Sequence, residues 1–236
     1  MFLCEFDLES SGIKYNKTLP PAIWQGKKMR AEVRQALLRI AAKFIESLDY
    51  PQFDTFDIRI VGSAVNYNYS KFSDIDLHIV TDLREYDSEE LAQKFFHAKK
   101  SLWNERHEIM IGSYEVEVYI EPLADPPETG GLFSLKKNEW MKTPSYSPPD
   151  IDDSSVIAKS QELMDLIDRV LSDEPTDADD LSRMREKIWK MRKGAVAAGG
   201  EWATENLAFK VLRNKGYLDK LLDAEASQQD QELSIR

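Results

Sequence analysis

The spacing of apolar positions changes along the chain and divides it into parts. Between Met29 and Leu48 they recur at helical intervals, with Val33, Leu37, Ile40, Ala41, Phe44, Ile45 and Leu48 on one stripe. Asp49-Tyr50-Pro51 stops the run, which predicts a helix packed behind a sheet. The period then falls to two. Phe56, Ile58 and Ile60 alternate up to Gly62-Ser63, and after a polar connection Ile75, Leu77 and Ile79 alternate again. A second helix is expected over Asp87–Asn104, capped by Asp87 or Ser88, with Leu91, Phe95, Ala98 and Leu102 inward. His107–Ile111 and Tyr114–Glu121 read as strands joined through a turn at Gly112-Ser113. Leu132–Leu135 reads as a short strand after a loop holding Pro126, Pro127, Gly130 and Gly131. Residues 1–21 give an extended lead-in that closes on Leu19-Pro20-Pro21.

Beyond Pro144, Pro148 and Pro149 the helical period takes over. Helices are expected over Ser155–Leu171, capped by Ser154 or Ser155, and over Leu181–Ala198, ended by Gly199-Gly200. A third covers Glu201–Leu222, with Trp202, Leu207, Val211 and Leu212 inside and Gly216 as an interruption. An acidic break with Pro175 lies at Asp173–Asp180, and a polar tail follows Ala224. The layout is thus a sheet-bearing domain at 1–149, a helical region at 150–224 and a flexible tail at 225–236. The class is α+β: a small mixed sheet with flanking helices, followed by a C-terminal helical region.

Composition narrows the function. With 42% hydrophobic residues in 236, the chain can bury a proper core. No apolar run approaches a membrane span, and MFLCEFDLESSG has neither the basic region nor the long apolar segment of a secretory signal. A cytoplasmic protein without membrane association is expected. The single Cys4 and the scattered His78, His97 and His107 leave no cysteine or histidine metal cluster. A net charge of −11 argues against indiscriminate coating of nucleic acid. Arg183–Lys220 is nonetheless locally basic, which suits either a site for a triphosphate or RNA strand or a solvated helix face.

The chemistry concentrates at Phe56–Val80. Strand side chains alternate, so Asp74 and Asp76 share a face about 7 Å apart along the strand. Two carboxylates placed so repel unless a cation lies between them, and a hard ion such as Mg²⁺ takes oxygen ligands. Gly62 permits close backbone approach to a ligand, and the Ser63 hydroxyl beside it can donate to a phosphate. Tyr67, Tyr69 and Phe72 in the connection either stack on a base or pack the loop onto the sheet, the latter being commoner; Lys71 reads as exposed. His78 is in phase with the two aspartates, and its simplest place is the outer half of the strand. In the later strand, Val116, Val118 and Ile120 face one way and Glu115, Glu117, Tyr119 and Glu121 the other.

Val61-Gly62-Ser63, the interval Ala64–Ser73 and Asp74-Ile75-Asp76-Leu77 together resemble the signature of the nucleotidyltransferase superfamily, the DNA polymerase β-like group. The resemblance implies the nucleotidyltransferase fold for the sheet domain. It also implies transfer of a nucleoside monophosphate from an NTP, ATP among them, to a hydroxyl acceptor by a two-metal mechanism that releases pyrophosphate. Asp74 and Asp76 would hold two Mg²⁺ ions, or Mn²⁺ in their place, and Gly62 and Ser63 would grip the β- and γ-phosphates. A third carboxylate is implied on a neighbouring strand: Glu117 fits best, with Glu115 and Glu121 as alternatives. Cations for the triphosphate would come from the Arg183–Lys220 helices. The acceptor stays open among an RNA 3′ end, a nucleotide, a small hydroxylated molecule and a protein side chain. The alternative reading is a non-catalytic nucleotide-binding or regulatory module on the same fold.

Overall fold

The two alternating runs flanking Gly62-Ser63 become the centre of a mixed sheet. A computed structural model describes residues 8–9, 11–125, 127, 129–172 and 178–235. Pro126 and Pro175, with most of the acidic break around the latter, lie outside the described residues, as does Cys4. Two compact units are present: Tyr15–Ser147, and Pro148–Arg236 together with Met1–Lys14.

The sheet unit opens with the two-residue strands β1 (Trp24–Gln25) and β2 (Lys28–Met29), then α1 (Ala31–Ser47). Strands β3 (Asp57–Val61) and β4 (Ile75–Thr81) flank the motif, and α2 (Glu89–Arg106) follows. The unit closes with β5 (Met110–Ile111), β6 (Tyr114–Pro122), β7 (Leu132–Ser134) and β8 (Glu139–Lys142). The other six strands form one sheet in the order β5-β6-β4-β3-β7-β8. β4 and β6 are parallel, the other pairs antiparallel. A parallel pair needs a crossover, and α2 supplies it.

One face of the sheet is apolar. Ile58, Ile60, Ile75, Leu77, Ile79, Val116 and Val118 form a core with Leu37 and Phe44 of α1 and Phe96 of α2. Burying such side chains contributes about 1.5–3 kcal/mol each relative to exposure. The stripe expected to face inward on α2 does not. Leu91, Phe95 and Leu102 are exposed, and the neighbouring Ala92 and Phe96 are buried instead. Both stripes have helical spacing, and packing decides between them: the Phe96 ring meets Phe53 at 5.2 Å and Tyr86 at 5.3 Å, both edge-on. The α2 N-terminus is capped by Ser88, whose hydroxyl accepts from Leu91 N. Asn104 closes the free edge of β6: its side chain donates to Val118 O and accepts from Val118 N, each at 3.0 Å, as a neighbouring strand would.

Phe56 lies outside β3 and is exposed, and the strand expected at His107–Ile111 shortens to β5. The turn at Gly112-Ser113 joins it to β6 with Ile111 opposite Tyr114. Strands β1, β2 and β8 were not signalled by any alternation in the sequence.

The helical unit contains α3 (Asp153–Ser172), α4 (Ala178–Gly199), α5 (Thr204–Asn214) and α6 (Tyr217–Leu233). Leu163, Ile167, Leu181, Ile188, Leu212 and Leu221 are among its core residues. Asp152, rather than Ser154 or Ser155, caps α3: it accepts from Ser155 N and from both serine hydroxyls. Gly216, at φ +75°, breaks the third expected helix into α5 and α6. The residues expected as tail continue α6 through Leu233, because Glu225 is buried against Arg185, whose Nε donates to it at 2.8 Å. Among the described residues no helix is long and apolar enough to cross a membrane.

Candidate metal centre

The second face of the sheet is polar, and strand register decides what lies beside what. Asp76 is level with Val61 on β3 and with Glu117 on β6. His78 is level with Arg59 and Tyr119, and Val80 with Asp57 and Glu121. Side chains directly opposite in neighbouring strands share a face, so polar residues from three strands collect on the side away from the helices.

At one end of this face three carboxylates converge. Asp74, immediately before β4, Asp76 and Glu117 each place an oxygen within 4.8 Å of the others, and all three are half-buried. At an effective dielectric of about 20, two negative charges at that separation repel by roughly 3 kcal/mol. A metal ion held by the three oxygens would reverse that cost, so the group could bind a metal.

The chain enters this end of the sheet through a short 3₁₀ turn, Gly62–Val65. Gly62 has φ +73°, and a Cβ built there would lie 2.1 Å from Asp76 Oδ2. Both the backbone angle and the space exclude a side chain. Trp24 Nε1 fixes the turn by donating to Ala64 O at 2.8 Å. Ser63 is half-exposed, and among the described residues its hydroxyl has no hydrogen-bond partner.

The three glutamates considered for the third carboxylate have different surroundings. Glu117 belongs to the triad and accepts a short hydrogen bond from the Tyr119 hydroxyl. Burial, together with the charges of Glu117, Glu108 and Asp74, holds the Glu115 carboxyl above its ordinary range. Glu121 is 3% exposed and both its oxygens are engaged: Arg59 Nη1 donates to one at 2.6 Å, and His78 Nδ1 lies 2.9 Å from the other. Arg59 Nε also donates to Asp57 at 3.0 Å, and Ser134 Oγ donates to Asp57 at 2.7 Å. Glu121 therefore closes a buried ion-pair network beside the triad and stands outside it.

His78 takes part in that network, with its ring 5.1 Å from that of Tyr119. Burial first, then the bond and charge of Glu117, push the Tyr119 phenol far up, so it stays a donor at all ordinary pH. Of the loop aromatics, Tyr67 is buried with its ring 6.0 Å from Tyr15 and 5.3 Å from Tyr146, and Tyr69 packs against the core. Phe72 is exposed under Lys71, whose Nζ is 4.8 Å from the ring centre. Arg59 and Tyr119 carried no functional weight in the sequence. The polar phase of β3, Asp57 and Arg59 between apolar residues, was the available signal for the first.

Within the helical unit, the basic stretch is partly neutralised. Arg183 pairs with Asp180, and Arg185 with Glu225. No family model, curated protein or solved structure matches the chain.

Proposed function

We propose that the chain is a metal-dependent nucleotidyltransferase that moves a nucleoside monophosphate from an NTP to a hydroxyl acceptor. The observation that carries this reading is the convergence of Asp74, Asp76 and Glu117 at the end of the sheet where Gly62 leaves space for the Asp76 carboxylate. A binding module has no need of three carboxylates that repel one another.

The donor set is all oxygen, which suits Mg²⁺ or Mn²⁺. Asp74, Asp76 and Glu117 would together hold the ions. Such ions supply positive charge to the phosphoryl oxygens and to the attacking and leaving oxygens. The remaining work falls to the protein. The unpartnered Ser63 hydroxyl and the backbone of the Gly62–Val65 turn would hold the β- and γ-phosphates. The acceptor oxygen forms a bond to the α-phosphorus as the bond to the bridging oxygen breaks, and pyrophosphate leaves with that electron pair. Glu117 would take the acceptor proton on the carboxylate edge that Tyr119 does not occupy.

The test is incubation with each α-³²P-labelled NTP, Mg²⁺ and total RNA and protein extract, beside an Asp74→Ala/Asp76→Ala variant. Label transferred by the native chain and lost in the variant supports the reading. Equal nucleotide binding by both proteins, without transfer, would favour the non-catalytic module.

A further inference from the structure

One part of the helical unit gathers positive charge without matching it. Asn206, Phe209, Lys210 and Arg213 fall three or four residues apart on α5, so they are neighbours on the helix surface. Arg192 of α4 lies across them. Its guanidinium carbon is 4.4 Å from the Phe209 ring centre, and its Nε donates to Asn206 Oδ1 at 3.2 Å. Asn206 is itself buried and fixed, its amide donating to Glu201 O at 2.6 Å. Lys210 Nζ lies 5.7 Å from the Trp202 ring centre and 4.0 Å from Glu201 Oε2.

The charges do not cancel here as they do at Arg183 and Arg185. Among the described residues, Arg192 and Arg213 bond only to amide oxygens, the latter to Asn214 at 3.4 Å. Glu201 is, among the described residues, the one carboxylate paired with the group. Three cations less one anion leave an excess of two positive charges. Burial chiefly, and Arg213 secondarily, hold Arg192 below its ordinary range. Lys210 is lowered chiefly by burial, which Glu201 opposes and Arg213 and Arg192 reinforce. Gathering like charges around a partly desolvated lysine costs stability, and the single Glu201 carboxylate offsets that cost only in part.

We propose that Arg192, Lys210 and Arg213 form a binding site for the phosphate group of a small ligand. Two guanidinium forks and an ammonium match the several oxygens of a phosphate better than a single carboxylate would. A phosphate dianion also carries the charge that the cluster lacks. The Phe209 ring holds the Arg192 fork in place before any ligand arrives. A net charge of −11 disfavours a long nucleic acid as the occupant. The inference does not depend on nucleotidyl transfer.

The probe is inorganic pyrophosphate, titrated calorimetrically in EDTA so that no divalent ion takes part. Saturable one-site binding is expected, weakened about tenfold or more in exposed-site variant Arg213→Gln and in Arg192→Gln. Arg183→Gln, at an exposed arginine paired with Asp180, should leave it unchanged, and so should Asp74→Asn/Asp76→Asn. That last variant separates this site from the metal centre. Absence of saturable binding would overturn the proposal, as would equal weakening by Arg183→Gln. Binding seen only with a single-stranded oligoribonucleotide would overturn the assignment to a small ligand.

Discussion

The Asp76 carboxylate occupies the space that a side chain on Gly62 would fill: a Cβ there would sit 2.1 Å from Asp76 Oδ2. The glycine and the aspartate are thus two halves of one arrangement, joined by the register of Val61 with Asp76. Gly62→Ala should cost at least the roughly 1–2 kcal/mol of a left-handed alanine. It should also displace Asp76 and weaken Mn²⁺ binding more than tenfold. Urea unfolding and calorimetric titration of Mn²⁺ check the two effects separately.

Glu117 and Glu121 lie on the same face of β6, and substituting them should have opposite signatures. Glu121→Ala leaves the buried Arg59 without its 2.6 Å partner, a loss expected to destabilise by about 3–5 kcal/mol. Glu117→Ala relieves repulsion within the triad, so the metal-free protein should be no less stable while Mn²⁺ affinity collapses. Chemical denaturation with and without Mn²⁺ distinguishes them. A large stability loss in Glu117→Ala would contradict its assignment to the metal centre.

The Tyr119 hydroxyl should orient Glu117 rather than hold the fold. Partners of ligating carboxylates typically contribute 10–100-fold to metal affinity. Tyr119→Phe should therefore weaken Mn²⁺ binding by about tenfold while leaving the urea midpoint of the metal-free protein nearly unchanged.

Asp152 provides a pH-dependent check on the helical unit. Hydrogen bonds from Ser154 and Ser155 lower its carboxyl from 3.8 to about 2 in the folded protein. A depressed carboxyl adds stability that is fully present above 3.8 and is lost as pH falls through about 2. The urea midpoints of native protein and Asp152→Ala should therefore differ at neutral pH and converge as pH is lowered through that window. A difference independent of pH would show that Asp152 acts otherwise than as a charged cap.

The sequence disclosed the elements whose pattern is local. The period of two in β3, β4 and β6 and the 3.6-residue stripes of α1, α3 and α4 follow from burying one face. Asp74 and Asp76 were legible for the same reason, because alternation alone puts them in phase, whereas Glu117 was singled out only through the resemblance that implies a third carboxylate. What was hidden depends on long-range pairing. Leu91 and Ala92 begin equally regular stripes on α2, and only the rings of Phe53 and Tyr86 select Phe96. Glu115, Glu117 and Glu121 are equivalent until the parallel register sets Glu117 beside Asp76 and Arg59 takes up Glu121. The helix through Leu233 rests on Arg185 reaching Glu225, a partner 40 residues away.

In the proposed function the triad would hold metal beside the phosphates of a nucleotide. Anomalous scattering from crystals grown with Mn²⁺ and a non-hydrolysable NTP analogue tests it most directly. Manganese is expected at the oxygens of Asp74, Asp76 and Glu117, with the β- and γ-phosphates against Gly62 and Ser63. Manganese absent from those three carboxylates, or a nucleotide bound away from Gly62 and Ser63, would contradict it.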